Sequence, residues 1–147
     1  MENGTHGRIW HTDERNNIAF SFYIKSNCDI SRLDGMTTEV AETILEVLKK
    51  TYNINLKIKK PNDIIYNNKK IGGILCETKI VGEKVKAIVI GIGINTNKKD
   101  FPEDIKQIAS SILNEFNIII DNKKVIEEFC NIFENRIIRR IGENVWK

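Results

Sequence analysis

The sequence contains few of the residues and runs that define several protein classes. Its three cysteines, Cys28, Cys76 and Cys130, are odd in number and widely spaced, which argues against a disulfide framework and a zinc site. No apolar run approaches the roughly 20 residues that a membrane helix needs, and the polar N-terminus contains no hydrophobic signal core. We therefore expect a cytoplasmic protein with no membrane-spanning segment.

An excess of charge of one sign is also missing. The 147 residues include 23 lysines and arginines against 20 aspartates and glutamates, a net charge of +3. This mixed surface gives little electrostatic support for nucleic-acid binding, and we expect none. The chain does have 41% apolar residues, enough to bury one hydrophobic core. With no Pro/Ser-rich linker and no repeat, residues 1–147 are expected to form a single domain.

The spacing of apolar residues predicts strands and helices in a definite order. Aromatic and branched residues alternate over 18–24, and further strands are predicted at 56–59, 64–66, 71–80 and 84–94. Helical spacing begins at Ser31 and ends near Lys49 and Lys50. It returns around 105–116 and again from Asp121, a typical N-cap residue, to Ile137. The prediction is an α+β fold, a mostly antiparallel mixed sheet with helices packed on one side.

Lys70 and the glycine pair that follows it are the most informative local feature. A Pro61-Asn62-Asp63 turn, a short strand and a second turn lead to this lysine, and Gly72 and Gly73 come directly after. The arrangement would bring a cation and exposed backbone N–H groups together, as an anionic ligand requires. On residue type alone, Lys70 could also be a solvated lysine, and Gly73 could mark a β-bulge.

Four short segments in a fixed order resemble the motif series of biotin protein ligases. They are His6-Gly7-Arg8-Ile9-Trp10, Lys59-Lys60-Pro61-Asn62-Asp63, Lys70-Ile71-Gly72-Gly73-Ile74-Leu75 and Gly91-Ile92-Gly93-Ile94-Asn95. Each segment by itself arises often by chance, but four of them in the same order and at compatible spacing are a strong signal. The resemblance covers nearly the whole chain. The resemblance is to the catalytic domain of that family.

The resemblance implies an enzyme that uses ATP and Mg²⁺, with biotin as substrate. The biotin carboxylate would attack the α-phosphate of ATP, and the biotinyl group would then pass to a lysine of a biotin carboxyl carrier protein. That carrier would belong to acetyl-CoA carboxylase or a related biotin-dependent carboxylase. Lys70 would be the catalytic lysine, contacting carboxyl and α-phosphate oxygens. The implied biotin-binding residues are Asn3, Gly4, Thr5, Lys70 and Gly73.

The implied nucleotide-binding residues are Arg8, Trp10, Asn62, Asp63 and Asn95. Trp10 would pack against adenine, Arg8 would meet phosphates, and the Asn62-Asp63 pair would orient phosphates, Mg²⁺ or the lysine loop. Residue type alone also allows a core tryptophan, a surface arginine, an ordinary Asx turn and a loop cap at Asn95. No separate metal site is predicted from protein side chains.

The chain departs from the family pattern mainly at its start. Glu2-Asn3-Gly4-Thr5 stands where the family has two arginines, and Lys60 stands where it has tryptophan. The family's upstream strand and helix, its Ser/Thr segment for the biotin ring and its C-terminal β domain have no counterpart in the sequence. We therefore expect an N-terminally incomplete catalytic domain that binds biotin and its adenylate less tightly. Exposed strand edges would also allow a homodimer.

Three functions stay open at the level of sequence. The first is a biotin protein ligase, the second is an inactive remnant that binds nucleotide or carrier domain weakly, and the third is a basic nucleic-acid binder. Lipoate attachment shares the broad fold and the adenylate chemistry. The segments that begin at Lys70 and Gly91 are more similar to the biotin branch.

Overall fold

The computed structural model describes residues 2–3, 8–10 and 17–142, with side chains described within 17–142. In this part of the chain, seven strands form one sheet and three α-helices accompany it. The strands are β1 (Glu2–Asn3), β2 (Arg8–Trp10), β3 (Asn17–Asp29), β4 (Lys57–Lys59), β5 (Asp63–Tyr66), β6 (Lys69–Val81) and β7 (Lys84–Asn95). The helices are α1 (Met36–Tyr52), α2 (Ile112–Phe116) and α3 (Asn122–Ile141).

The sheet is antiparallel throughout its named strands. Its strand order is β1-β2-β3-β7-β6-β5-β4, so the three long strands β3, β7 and β6 lie side by side near the centre. The turn between β5 and β6 is made by Asn67 and Asn68, whose φ angles of 53° and 63° suit a tight hairpin. A parallel bridge joins Lys70 to Ala109 outside this ladder. The predicted α+β class is confirmed.

One face of the sheet carries the hydrophobic core. Ile18, Phe20, Phe22 and Ile24 of β3 are all buried, whereas the residues between them are exposed or half-buried. Phe20 and Phe22 contact Phe129 of α3 with ring centroids 5.7 and 5.8 Å apart. Helices α1 and α3 therefore cover this face, and the alternate residues of each strand point to the other side.

Two of the helix predictions are wrong in their bounds. The first predicted helix begins at Met36 and not at Ser31, because 30–33 form a 3₁₀ helix and Gly35 takes a left-handed conformation (φ 78°). The predicted helix over 105–116 is reduced to α2. Its first half consists of separate turns, and the backbone from Ile108 to Ser110 runs beside Lys70 instead.

Other helix signals are confirmed. Asp121 caps α3 by accepting a hydrogen bond from the Lys124 N–H at 3.2 Å, and Lys49 and Lys50 lie in the last turn of α1. Among the residues that the structure describes, no helix is long and apolar enough to span a bilayer.

Two arginines of α3 join this helix to α1. Arg140 donates to Glu39 at 2.9 Å and also to the backbone carbonyls of Arg32 and Asp34, and Arg136 donates to Glu46 at 2.7 Å. The side chains of Arg140 and Glu39 are 19% and 29% exposed, so their hydrogen bonds are partly shielded from water.

We expect Arg140→Ala to lower the free energy of unfolding by about 2 kcal/mol, the size of a hydrogen bond to a charged group. Urea denaturation of the variant measures this loss. Arg139→Ala is the matched control, because the neighbouring Arg139 also lies in the last turn of α3 and its side chain is exposed. Equal losses in the two variants would contradict a specific role for Arg140.

Candidate active site

A groove of about 510 Å³ lies on the sheet face opposite the core. The register of the strands arranges its floor in two rows that run across the sheet. The first row contains Ala19, Gly93, Gly73 and Asp63, and the second contains Ser21, Gly91 and Leu75. Because most of these residues are small, the peptide backbone itself forms much of the floor.

Two glycines of β7 create most of the open space. A Cβ added to Gly93 would meet no described atom within 4 Å, and one added to Gly91 would meet only the Leu75 Cβ, at 3.7 Å. A spacing of two places both glycines on the same face of a strand. The groove is therefore open because Gly91 and Gly93 place no side chain on this face of β7.

A β-bulge turns Lys70 towards this groove. Ile64 pairs with Gly72 and Ile65 pairs with Lys70, so Ile71 is an extra residue on β6 with no partner. An extra residue reverses the alternation of side chains beyond it. Ile71 enters the core with no exposed surface, and Lys70 emerges on the groove side. The β-bulge that residue type alone allowed at Gly73 therefore lies at Ile71.

The Lys70 ammonium group lies above the floor of the groove. Its Nζ is 3.3 Å from Oδ1 of Asp63, and a Cβ added to Gly73 would lie 3.7 Å from the same Nζ. The Lys70 and Asp63 side chains are 55% and 35% exposed, so this ion pair contributes little to stability. Lys70 can therefore exchange Asp63 for an anionic ligand at small cost.

The turn before β5 brings Asn62 and Asp63 to the same groove. The Asn62 carbonyl accepts a hydrogen bond from the Ile74 N–H at 2.9 Å, which fixes the turn against β6. Asp63 is the cross-strand partner of Gly73. Four of the residues named from sequence, Lys70, Gly73, Asn62 and Asp63, therefore line one cavity.

The other candidate residues are placed differently. Asn95 ends β7, is not among the residues that line the groove, and donates from Nδ2 to the Ser110 carbonyl at 3.2 Å. Arg8 and Trp10 lie in β2, which pairs with β3, and Asn3 lies in β1. Gly4 and Thr5 lie outside the described residues.

Sequence reasoning missed several residues of the floor. Ala19, Ser21 and Leu75 come from strands whose register could not be read from one chain, although the Gly91-x-Gly93 spacing was a visible signal. Within 17–142, no group of three His, Cys, Asp or Glu side chains could hold a metal ion. Away from the groove, burial raises the pKa of the Cys76 thiol, against smaller opposing effects of a Thr37 hydrogen bond and Arg140.

Comparison with known proteins gives consistent matches. The biotin/lipoate A/B protein ligase family matches residues 3–95. Bifunctional ligase/repressor BirA of Bacillus subtilis is 33% identical over 135 residues, which cover 90% of this chain and 42% of that protein. A biotin--[acetyl-CoA-carboxylase] ligase of Paracoccus denitrificans is 48% identical over 40 residues, 27% of this chain and 17% of that protein. The chain therefore spans less than half the length of the Bacillus relative.

A solved structure supports the same grouping. Biotin protein ligase from Aquifex aeolicus in complex with biotin and ATP has a TM-score of 0.66 and 27% sequence identity to this chain. The similarity covers 94% of this chain and 57% of that one.

Proposed function

Because the chain belongs to the biotin/lipoate A/B protein ligase family, we propose that it catalyses the ATP-dependent attachment of biotin to protein. In the first step, a biotin carboxylate oxygen bonds to the α-phosphorus of ATP. The bond from that phosphorus to the bridging oxygen breaks, and pyrophosphate leaves. In the second step, the amine of a carrier lysine attacks the acyl carbon, AMP leaves, and the amine loses a proton.

The observation that carries this proposal is the Lys70 ammonium above the Gly73 backbone. The first step brings a carboxylate to a phosphate, so two anions must approach each other. A fixed cation between them stabilises the charge that develops in the transition state. Lys70 lies in the groove at the point where such a carboxylate end would be held.

The shape of the groove suits biotin. The floor crosses β6, β7 and β3, a distance of about 10 Å at the usual strand spacing. It presents glycine and alanine backbone, with the 55% exposed Leu75 at one side and a lysine at one end. A neutral ring system on a chain that ends in a carboxylate matches this distribution of apolar surface and charge.

Asp63 fits the Mg²⁺ that would accompany the nucleotide. Mg²⁺ is usually held by one or two carboxylates together with substrate phosphates, and the Asp63 carboxylate lines the groove. When bound there, the ion would neutralise phosphate charge, and Asn62 would help to orient the phosphates. Arg8, Trp10 and Asn95 stay predictions as nucleotide contacts, as do Asn3, Gly4 and Thr5 as biotin contacts.

The proposed partner is a biotin carboxyl carrier domain. The support is indirect, since the Paracoccus relative is named as a ligase for acetyl-CoA carboxylase. A cytoplasmic location, a homodimer and the lack of nucleic-acid binding stay predictions from sequence.

Incubation of the purified chain with biotin, Mg-ATP and pyrophosphatase tests the proposal. Mass spectrometry should detect biotinyl-AMP, and an added apo carrier domain should gain the mass of one biotinyl group. A parallel reaction with lipoate should give much less adenylate. If the folded chain formed no biotinyl-AMP the proposal would fail, and preferential use of lipoate would move the assignment to the other branch of the family.

The groove can also be blocked directly. We expect Gly93→Leu to weaken biotin binding at least tenfold, because the new side chain would occupy space that is now open. Isothermal titration calorimetry measures the affinity, and circular dichroism checks the fold. Lys79→Leu adds the same side chain at an exposed position of β6 outside the groove and should bind biotin normally. Unchanged affinity in Gly93→Leu would show that biotin binds elsewhere.

A further inference from the structure

A segment from the loop before α2 forms hydrogen bonds with the backbone of Lys70. The Lys70 N–H donates to the Ile108 carbonyl at 2.8 Å, and the Lys70 carbonyl accepts from the Ser110 N–H at 3.0 Å. A lysine ammonium group sits on a flexible four-carbon stem. The backbone is therefore the part of Lys70 that the protein can fix, and Ile108 and Ser110 fix it.

Ser110 is bonded through all three of its polar groups. Its N–H binds Lys70, its carbonyl accepts from Asn95 Nδ2 at 3.2 Å, and its hydroxyl donates to Glu115 Oε2 at 2.5 Å. The residue is only 4% exposed. The bond to Glu115 has the short length of a charge-assisted hydrogen bond, which is roughly twice as strong as a neutral one.

Capping of α2 does not explain this bond. Ser111 already serves as the N-cap, accepting from the Asn114 N–H at 3.1 Å. The Ser110 hydroxyl instead ties the segment beside Lys70 to the carboxylate of α2. Neither Ser110 nor Glu115 lines the groove that holds Lys70, so their effect on Lys70 passes through its backbone hydrogen bonds to Ile108 and Ser110.

We propose that Ser110 and Glu115 are positioning residues for Lys70. Their hydrogen bond fixes the segment 108–110 against β6 and so keeps the Lys70 ammonium above Gly73. The catalytic consequence rests on the proposed function, whereas the structural link does not. The two parts can therefore be tested separately.

Amide hydrogen exchange of the purified chain tests the structural link. Ser110→Ala and Glu115→Ala each remove the hydrogen bond and should each raise the exchange rate of the Lys70 amide at least tenfold. Because both changes break the same bond, the double variant should exchange little faster than either single variant. Ser110→Thr keeps the hydroxyl and should restore protection. Asn114→Ala is the control, since it removes a 2.9 Å hydrogen bond to Lys99 in the same loop and should leave the Lys70 amide unchanged.

The adenylation assay tests the catalytic consequence. Ser110→Ala should lower kcat about tenfold with less than a twofold change in KM for biotin, and Ser110→Thr should recover most of it. An unchanged Lys70 amide in Ser110→Ala, or an equal change in Asn114→Ala, would overturn the proposal. If no variant and no parent chain formed biotinyl-AMP, the proposed function would fail, and the exchange rates alone would decide the structural link.

Discussion

Replacement of Lys70 by alanine should slow the formation of biotinyl-AMP by roughly a hundredfold to a thousandfold, the usual cost of removing one preorganised charge-stabilising group. Lys70 is a cation above the groove floor, and its Nζ forms an ion pair with the half-buried Asp63 carboxylate. Stability should hardly change, because an exposed ion pair contributes little. Single-turnover adenylation and thermal unfolding measure the two effects.

The neighbouring lysine provides the control. Lys69 precedes Lys70 in β6 but lines a different groove, together with residues of the α2 region such as Asn114 and Glu115. Lys69→Ala removes the same charge from the same strand and should leave adenylation within about twofold. Equal losses in the two variants would show that general positive charge, and not the placement of Lys70, supports the reaction.

The sequence was sufficient to place Lys70 with Gly73, Asn62 and Asp63. Two turn signals, Pro61-Asn62-Asp63 and Asn67-Asn68, flank a strand of four residues, so the chain must fold back and bring both ends of β5 beside β6. Such local hairpins depend on neighbouring residues. This part of the site could therefore be predicted from short-range patterns.

The remaining features depend on contacts between distant parts of the chain. The bulge at Ile71 is defined by pairing with β5, and nothing in the residue type separates a buried strand isoleucine from a bulged one. The apolar residues around the segment 108–110 have helical spacing, yet the segment pairs with Lys70. It does so because the Ile108 carbonyl and the Ser110 N–H both form hydrogen bonds with the Lys70 backbone. Tertiary hydrogen bonds overrode local propensity at both places.

Gly72→Ala should be the most destabilising single-methyl change in the motif. A Cβ at Gly72 would lie 2.3 Å from the Gly93 carbonyl oxygen and 3.0 Å from the Ile94 Cα, both backbone atoms of the central strand β7. The two strands would have to separate, which we expect to cost about 3 kcal/mol. For a chain of this size the midpoint of thermal unfolding should fall by roughly 10 °C. Differential scanning calorimetry measures both quantities.

Gly73→Ala tests whether the adjacent glycine serves the ligand and not the fold. Its Cβ would meet Asn62 O at 3.5 Å and Lys70 Cε at 3.6 Å, which are ordinary contacts, so the unfolding midpoint should stay within about 2 °C. The methyl group would stand between Lys70 and the floor, and biotin affinity should fall. If Gly72→Ala kept the unfolding midpoint of the parent chain, or if Gly73→Ala unfolded at as low a temperature as Gly72→Ala, the register of β6 against β7 would not be the one described. Opposite responses from two neighbouring glycines follow from strand alternation, since one faces the core and the other faces the groove.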